Sequence, residues 1–263
     1  MKVVVLRGGA PVRRRRPATD STADRGVMAI GSDDGAWALV NMSPAVAHQL
    51  DTDPRLPADL VDAASRVVVL TDAQVDHVGG LLSLRHGAPI ELYATPTVFE
   101  ELTGALPILP VLQHYCSVHW HVVPVAGDAR AATFRIDTMP QLEFTALATQ
   151  APPPPHSPGA AQPRIGDAIA LAVRDLASGQ RLFCAPGATQ FGALEFDWMR
   201  TADCLLVDGP ALAVDAELPW IDLLRDLPAR HKVLFSSRAA GHDEHALADR
   251  GIALAYDGLE IEL

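Results

Sequence analysis

Cysteine is scarce: the 263 residues contain only Cys116, Cys184 and Cys204, and no two of them form a CxxC pair. An odd number of thiols spread far apart argues against a disulfide framework or a cysteine-built zinc site, and suits buried free thiols in a reducing compartment. Long hydrophobic runs are also missing. None approaches the roughly 18 residues a membrane span needs, and at the N-terminus the apolar patch precedes the arginines, the reverse of a signal peptide. A cytoplasmic protein with no membrane contact is expected. Excess positive charge is absent as well, the formal net charge being −11. Because nucleic-acid affinity comes mainly from clustered Lys and Arg, no nucleic-acid partner is expected. The one basic cluster, Arg13 to Arg16, reads as a solvated loop, with binding of an anionic substrate or acidic partner as the alternative. There is no internal repeat of fixed period.

With 49% hydrophobic and 20% charged residues the chain lies well away from disordered compositions and should fold. Short apolar runs read as strands: Val3 to Leu6, Trp37 to Val40, Val67 to Leu70, Ile90 to Ala94, Val122 to Val125, Leu142 to Ala146, Ala168 to Val173, Leu182 to Ala185, Cys204 to Val207 and Val233 to Phe235. Helical stretches lie between them at Pro44 to Leu50, Val78 to Leu84, Val98 to Leu102, Leu194 to Arg200, Trp220 to Leu227 and Glu244 to Arg250. Strands neighbour one another in the first half and alternate with helices in the second, which predicts two sheets layered together with helices outside. The segment APPPPHSPGAAQP near Ala151 loses amide donors to its prolines and reads as a loop within a single domain spanning residues 1–263.

The segment VVVLTDAQVDHVGGLLSLR, residues 67–85, carries the chemistry. A buried strand runs into Thr71, Asp72, Gln74, Asp76 and His77, then into Gly79, Gly80 and an apolar helix. Two carboxylates and an imidazole at a strand end cost several kcal/mol to bury unless they are paired or hold a cation. Aspartate oxygen and histidine nitrogen suit zinc, iron or manganese. Alternatively, Asp72 or Asp76 caps the following helix and His77 is a satisfied core histidine. A further carboxylate, Asp208, closes the strand Cys204 to Val207, where it either faces a ligand crevice or starts a turn.

The pattern D-x-Q-x-D-H-x-x-G resembles the H-x-H-x-D-H metal motif of the metallo-β-lactamase fold. TDAQVDHVGGLLSLR, with VNMSPAVAHQL (40–50), LPILPVLQHY (106–115), LFCAPGA (182–188), ADCLLVDG (202–209) and GIALAYDGLEIEL (251–263), is similar to the coenzyme PQQ synthesis protein B family over most of the chain. The resemblance implies a metallo-β-lactamase-like αββα sandwich and a place in the biosynthesis of pyrroloquinoline quinone or a related peptide-derived cofactor. It further implies either metal-dependent oxidation, a hydroxylation of the tyrosine ring of a cross-linked Glu-Tyr precursor, or a carrier role. The metal would be one iron or zinc ion held around Asp72, Gln74, Asp76, His77 and Asp208, and the substrate a small molecule or modified peptide.

Departures from the family pattern matter as much. The stretch GGAPVRRRRPATDSTADRG has no Cys or His where family members carry a cysteine cluster, so no structural zinc is expected at the N-terminus. Two histidines expected after the VDG block and after Val233-Leu234-Phe235 are missing. Ala185-Pro186-Gly187 stands where relatives of the fold hold a bridging aspartate, which disfavours a dinuclear hydrolase. Among the other histidines, His119 and His121 would share one face of a strand, on its solvent side or as a metal pair. His242 and His245 belong to a helix start or replace a lost ligand. His156 projects over a pocket mouth or into solvent, and His114 lies in a family-like block; these two are the candidate substrate contacts. Two readings follow. One is a mononuclear metal-dependent hydroxylase; the other is a metal-free relative acting as binding, carrier or partner subunit in the same type of pathway. Asp72, Asp76 and His77 are expected to converge in a common cleft at one end of a sheet, because the strand-to-helix turn from Thr71 to Gly79 is short and polar.

Overall fold

A computed structural model describes residues 1–8, 25–53, 56–61, 64–151, 153–157, 163–188, 191–208, 219–235 and 244–263. Arg13 to Arg16 and His242 fall outside the described residues. The chain opens with three antiparallel strands, β1 (Lys2–Arg7), β2 (Val27–Gly31) and β3 (Trp37–Val40). Helices α1 (Pro44–Thr52) and α2 (Ala58–Val61) lead to β4 (Arg66–Val69), α3 (Val75–Val78), a 3₁₀ segment (Gly79–His86) and β5 (Ile90–Ala94). Then come α4 (Pro96–Thr103), α5 (Ile108–Leu112), β6 (Val118–Val122), β7 (Ala131–Arg135), β8 (Leu142–Ala148), β9 (Ile169–Asp175) and β10 (Arg181–Ala185). The remaining elements are α6 (Ala193–Met199), β11 (Cys204–Asp208), α7 (Pro219–Asp226), β12 (His231–Phe235), α8 (Glu244–Ala248), β13 (Ala253–Leu254) and β14 (Leu259–Glu262).

Two seven-stranded sheets result, in the orders β14-β1-β2-β3-β4-β5-β6 and β13-β12-β11-β10-β9-β8-β7. Alternation along each strand divides the apolar side chains into layers. Val3 and Val5 face inward with Met28, Val69, Phe144, Leu171, Leu206 and Phe235, so the core between the sheets draws on both. Val4 and Leu6 face outward, where Leu39 and Val68 meet Val46 and Leu50 of α1, Leu81 of the 3₁₀ segment and Leu102 of α4. On the far side Phe183, Leu205 and Leu234 are covered by Met199 of α6, Leu224 of α7 and Leu247 of α8. This is an αββα sandwich. Strands covered on both faces need apolar residues at every position, which is why they read as continuous runs. Helix starts follow the sequence signals: Ser43 and Thr95 accept from the N–H groups of Val46 and Val98, each with proline next in the chain.

The strand expected at Val122 to Val125 is instead β6, four residues earlier. It is an edge strand in which every position is half-buried or exposed, so it presents no apolar run. β2, β7, β13 and β14 were not expected. β7 alternates as the other sheet's edge, and β2 follows directly on the arginine-rich stretch. The helix expected over Val78 to Leu84 is instead the 3₁₀ segment, preceded by the short α3, because the chain at Gly80 is pressed against the segment before α1. The Gly80 N–H donates to the Met42 carbonyl at 2.9 Å. A Cβ there would overlap the Ser43 carbonyl, and both neighbours are backbone. Gly80→Ala should therefore cost about 3 kcal/mol of stability, read as a lower urea midpoint with unchanged slope. An unchanged midpoint would contradict this packing.

Candidate functional site

The ends of both sheets meet beyond β4. After Leu70 the chain pairs briefly with the other sheet, Asp72 bridging to Ala168 and the Ile169 N–H donating to the Thr71 carbonyl at 2.8 Å. Asp72 is thereby fixed at the seam between the sheets, 3% exposed. Its Oδ1 accepts from the backbone N–H of Gln74 at 2.9 Å, closing a local turn of the kind aspartate favours. The Thr71 hydroxyl lies 3.1 Å from Oδ2. One turn of α3 then returns His77 to the same carboxylate, with Nδ1 2.8 Å from Oδ1 and 2.7 Å from Oδ2.

On its other side the His77 ring places Nε2 3.1 Å from the Arg25 carbonyl. Both ring nitrogens face acceptors, so the ring satisfies them by carrying a proton on each, as an imidazolium. Burial works to lower its pKa. The charge of Asp72, the hydrogen bond to it and the charge of Asp208 outweigh burial and lift the value from the ordinary 6.5 to about 9.

Asp208 ends β11, 5% exposed. Its Oδ2 accepts from the Gly187 N–H at 2.9 Å, and its Oδ1 lies 3.5 Å from Arg25 Nε, without a hydrogen-bond partner among the described residues. Burial pushes its carboxyl pKa up, against the opposing pull of Arg25 and the Gly187 amide. The centre thus holds two carboxylates, one imidazolium and one guanidinium. Its charges balance, which is the condition for burying them.

Two glycines close around the ring. Gly187, at φ +77°, has Asp72 Oδ2 and His77 Cε1 3.3 and 3.5 Å from where a Cβ would stand. Gly26, at φ +79°, would put a Cβ 2.5 Å from Pro186 Cβ and 3.4 Å from His77 Nε2. Only glycine combines that backbone conformation with so close an approach.

Of the expected site residues, Asp72, His77 and Asp208 come together. Gln74 enters through its backbone N–H, and its side chain is half-buried, as is that of Asp76 in α3. His156 is half-buried in the proline-rich loop, with Nε2 enclosed and unbonded among the described residues. His114 is exposed beyond α5. His119 and His121 lie on edge strand β6 and bracket Glu91, at 2.8 and 2.6 Å. Sequence reasoning missed Arg25, Gly26 and Gly187 as members of the centre. Arg25 is the last arginine of a stretch that reads as solvated, and Gly187 was visible only as the place of a missing carboxylate.

A metal ion fits this arrangement poorly. Among the described residues no three His, Cys, Asp or Glu side chains group as ligands, and a histidine donating from both nitrogens has no lone pair to offer. The Arg25 guanidinium already faces the least satisfied oxygen of Asp208. No helix among the described residues is long and apolar enough to cross a membrane.

Comparison with known proteins gives consistent matches. Residues 36–246 match the model of a β-lactamase superfamily domain. Coenzyme PQQ synthesis protein B of Stutzerimonas stutzeri is 36% identical in an alignment of 281 residues covering 95% of this chain and 90% of that protein. The protein of the same name from Cupriavidus taiwanensis is 37% identical, covering 95% and 89%. A crystal structure of Zn²⁺-bound PqqB from Methylobacterium extorquens superposes over all of both chains with a TM-score of 0.74 at 22% identity, which establishes the common fold.

His77→Ala removes one partner of a buried charge pair and leaves Asp72 to its Thr71 and Gln74 donors alone. A loss of roughly 3 kcal/mol is expected, measured by denaturation of chelator-treated protein. If apo stability does not change, the pair does not hold the centre together.

Proposed function

The chain belongs to the coenzyme PQQ synthesis protein B family, within the β-lactamase superfamily, and from that footing we propose that it serves PQQ biosynthesis as a metal-independent binding subunit. Its place in the biosynthesis of this or a related peptide-derived cofactor follows from the family. The finer reading, a single metallo-β-lactamase-like domain over residues 1–263 that binds or carries a modified peptide or small-molecule intermediate, rests on the centre. One observation carries it: the side chains that a metal would recruit are already paired with charges of the chain itself. Asp72 is answered by His77 and Asp208 by Arg25, and both His77 nitrogens are in use.

The ligand chemistry follows from the same groups. Arg25 is 27% exposed in its side chain while its partner Asp208 is 7% exposed, so the guanidinium is the member of the centre that reaches outward. A planar guanidinium pairs bidentately with a carboxylate, and a precursor built on glutamate and tyrosine supplies carboxylates. His156, half-buried in the proline-rich loop, is placed on the ligand side of this reading. A protein partner in the pathway would receive or deliver the intermediate.

A second reading, metal-dependent oxidation of the tyrosine-derived ring, is favoured by the Asp208 Oδ1 that has no hydrogen-bond partner among the described residues. In that case one iron or zinc ion would recruit Asp208, with His77 released from Arg25 and Asp76 or Gln74 turned inward. Such an ion would supply Lewis acidity or oxygen activation at open coordination positions. Elemental analysis of protein purified without chelators, before and after anaerobic addition of Fe(II), separates the two. The binding reading predicts well under one equivalent of iron or zinc in both samples; one equivalent retained after desalting would overturn it.

A further inference from the structure

We propose that Asn41 is the positioning residue of the Asp72–His77 pair. It lies outside the acidic and histidine-bearing segments, and it acts whether the centre binds a ligand directly or through a metal. Three separate pieces of chain build the centre: Arg25 and Gly26 before β2, Thr71 and Asp72 after β4, and His77 in α3. The short segment Asn41–Ser43, between β3 and α1, is bonded to all of them.

Asn41 is fully buried and is the one non-glycine residue with positive φ among those described, at 64°. A side chain other than asparagine, aspartate or glycine is strained in that conformation. The conformation turns the carboxamide inward, where every polar atom is used. Nδ2 donates to the Gly26 carbonyl at 3.1 Å and to the Thr71 hydroxyl oxygen at 2.9 Å. Oδ1 accepts from the Thr71 N–H at 3.0 Å and lies 3.1 Å from the Thr71 hydroxyl. That hydroxyl also lies 3.1 Å from Asp72 Oδ2, the oxygen 2.7 Å from His77 Nδ1. The next residue continues the grip, the Met42 N–H donating to the His77 carbonyl at 2.6 Å.

The contacts close a ring. From Asn41 they run through Thr71 and Asp72 to His77, from His77 Nε2 to the Arg25 carbonyl, and from the adjoining Gly26 carbonyl back to Asn41. A carboxamide presents a donor and an acceptor at fixed separation, so it sets the spacing between the Gly26 carbonyl and the Thr71 backbone. Those two points determine where the Arg25 carbonyl and the Asp72 carboxylate stand, and hence the orientation of the imidazole between them. Without the carboxamide both acceptors are free to shift, and the ring loses its single orientation.

The readout is the His77 ring itself. Long-range ¹H–¹⁵N correlations from its carbon-bound protons report the state of both nitrogens in the intact protein. Glycine takes a φ of 64° without strain, so Asn41→Gly keeps the backbone and removes only the carboxamide. Wild type is expected to give one set of His77 signals, as a ring held in a single orientation does. Asn41→Gly, folded by far-UV circular dichroism, is expected to lose that set through broadening or splitting. Thr71→Val, which removes the hydroxyl relay and keeps the shape, should do the same and carries the test if Asn41→Gly does not fold. His77 signals in the folded variant identical to those of wild type would overturn the proposal.

Discussion

A carboxylate buried at the junction of two sheets requires a counter-charge, and Asp72 has one in His77. Moving an ionised group out of water costs several kcal/mol even after the protein relaxes, and only close pairing with full hydrogen bonding recovers it. The 2.7 Å contact between Asp72 and His77 therefore constrains everything near it. α3 must return within a turn of Asp72, glycines must stand at 26 and 187 so that the chain can pass the ring, and a carbonyl must accept from the second nitrogen. The neighbouring carboxylate, Asp208, is handled in the same way by Arg25 and the Gly187 amide.

This arrangement bears on how buried carboxylates are balanced in a fold of the β-lactamase superfamily. A cation within a ring of carboxylates supplies both charge neutralisation and reactivity. Here the first of these is provided by the chain's own imidazolium and guanidinium, which neutralise the aspartates while leaving the strand ends in the same architecture. An arginine is also a recognition group, its planar guanidinium matching a carboxylate bidentately. Retaining costly buried aspartates is thus intelligible without metal chemistry, since they keep His77 and Arg25 oriented.

Much of the architecture was legible because strands covered on both faces write themselves as apolar runs: β4, β5, β9, β10, β11 and β12 lie close to where such runs fall. Edge strand β6 was misplaced because none of its positions is buried and it offers no apolar run, and the helix expected over Val78 to Leu84 is a 3₁₀ segment because at Gly80 it is pressed against residues nearly forty positions away. In the centre, Asp72, His77 and Asp208 were identifiable by residue type at strand ends. Arg25 and Asn41 were not, since one is separated from an arginine run by eight residues and the other sits in an apolar stretch before a helix. Their roles depend on the meeting of distant segments, which no local pattern encodes.

The central claim is that the Asp72–His77 attraction is intrinsic to the protein. A double-mutant cycle with Asp72→Asn and His77→Gln, measured by equilibrium denaturation both with a chelator and with excess anaerobic Fe(II), tests it most directly. The account predicts a favourable coupling of about 1 to 3 kcal/mol, the same under both conditions. Coupling near zero with the chelator that appears only with Fe(II) would contradict it and assign the pair to a metal site.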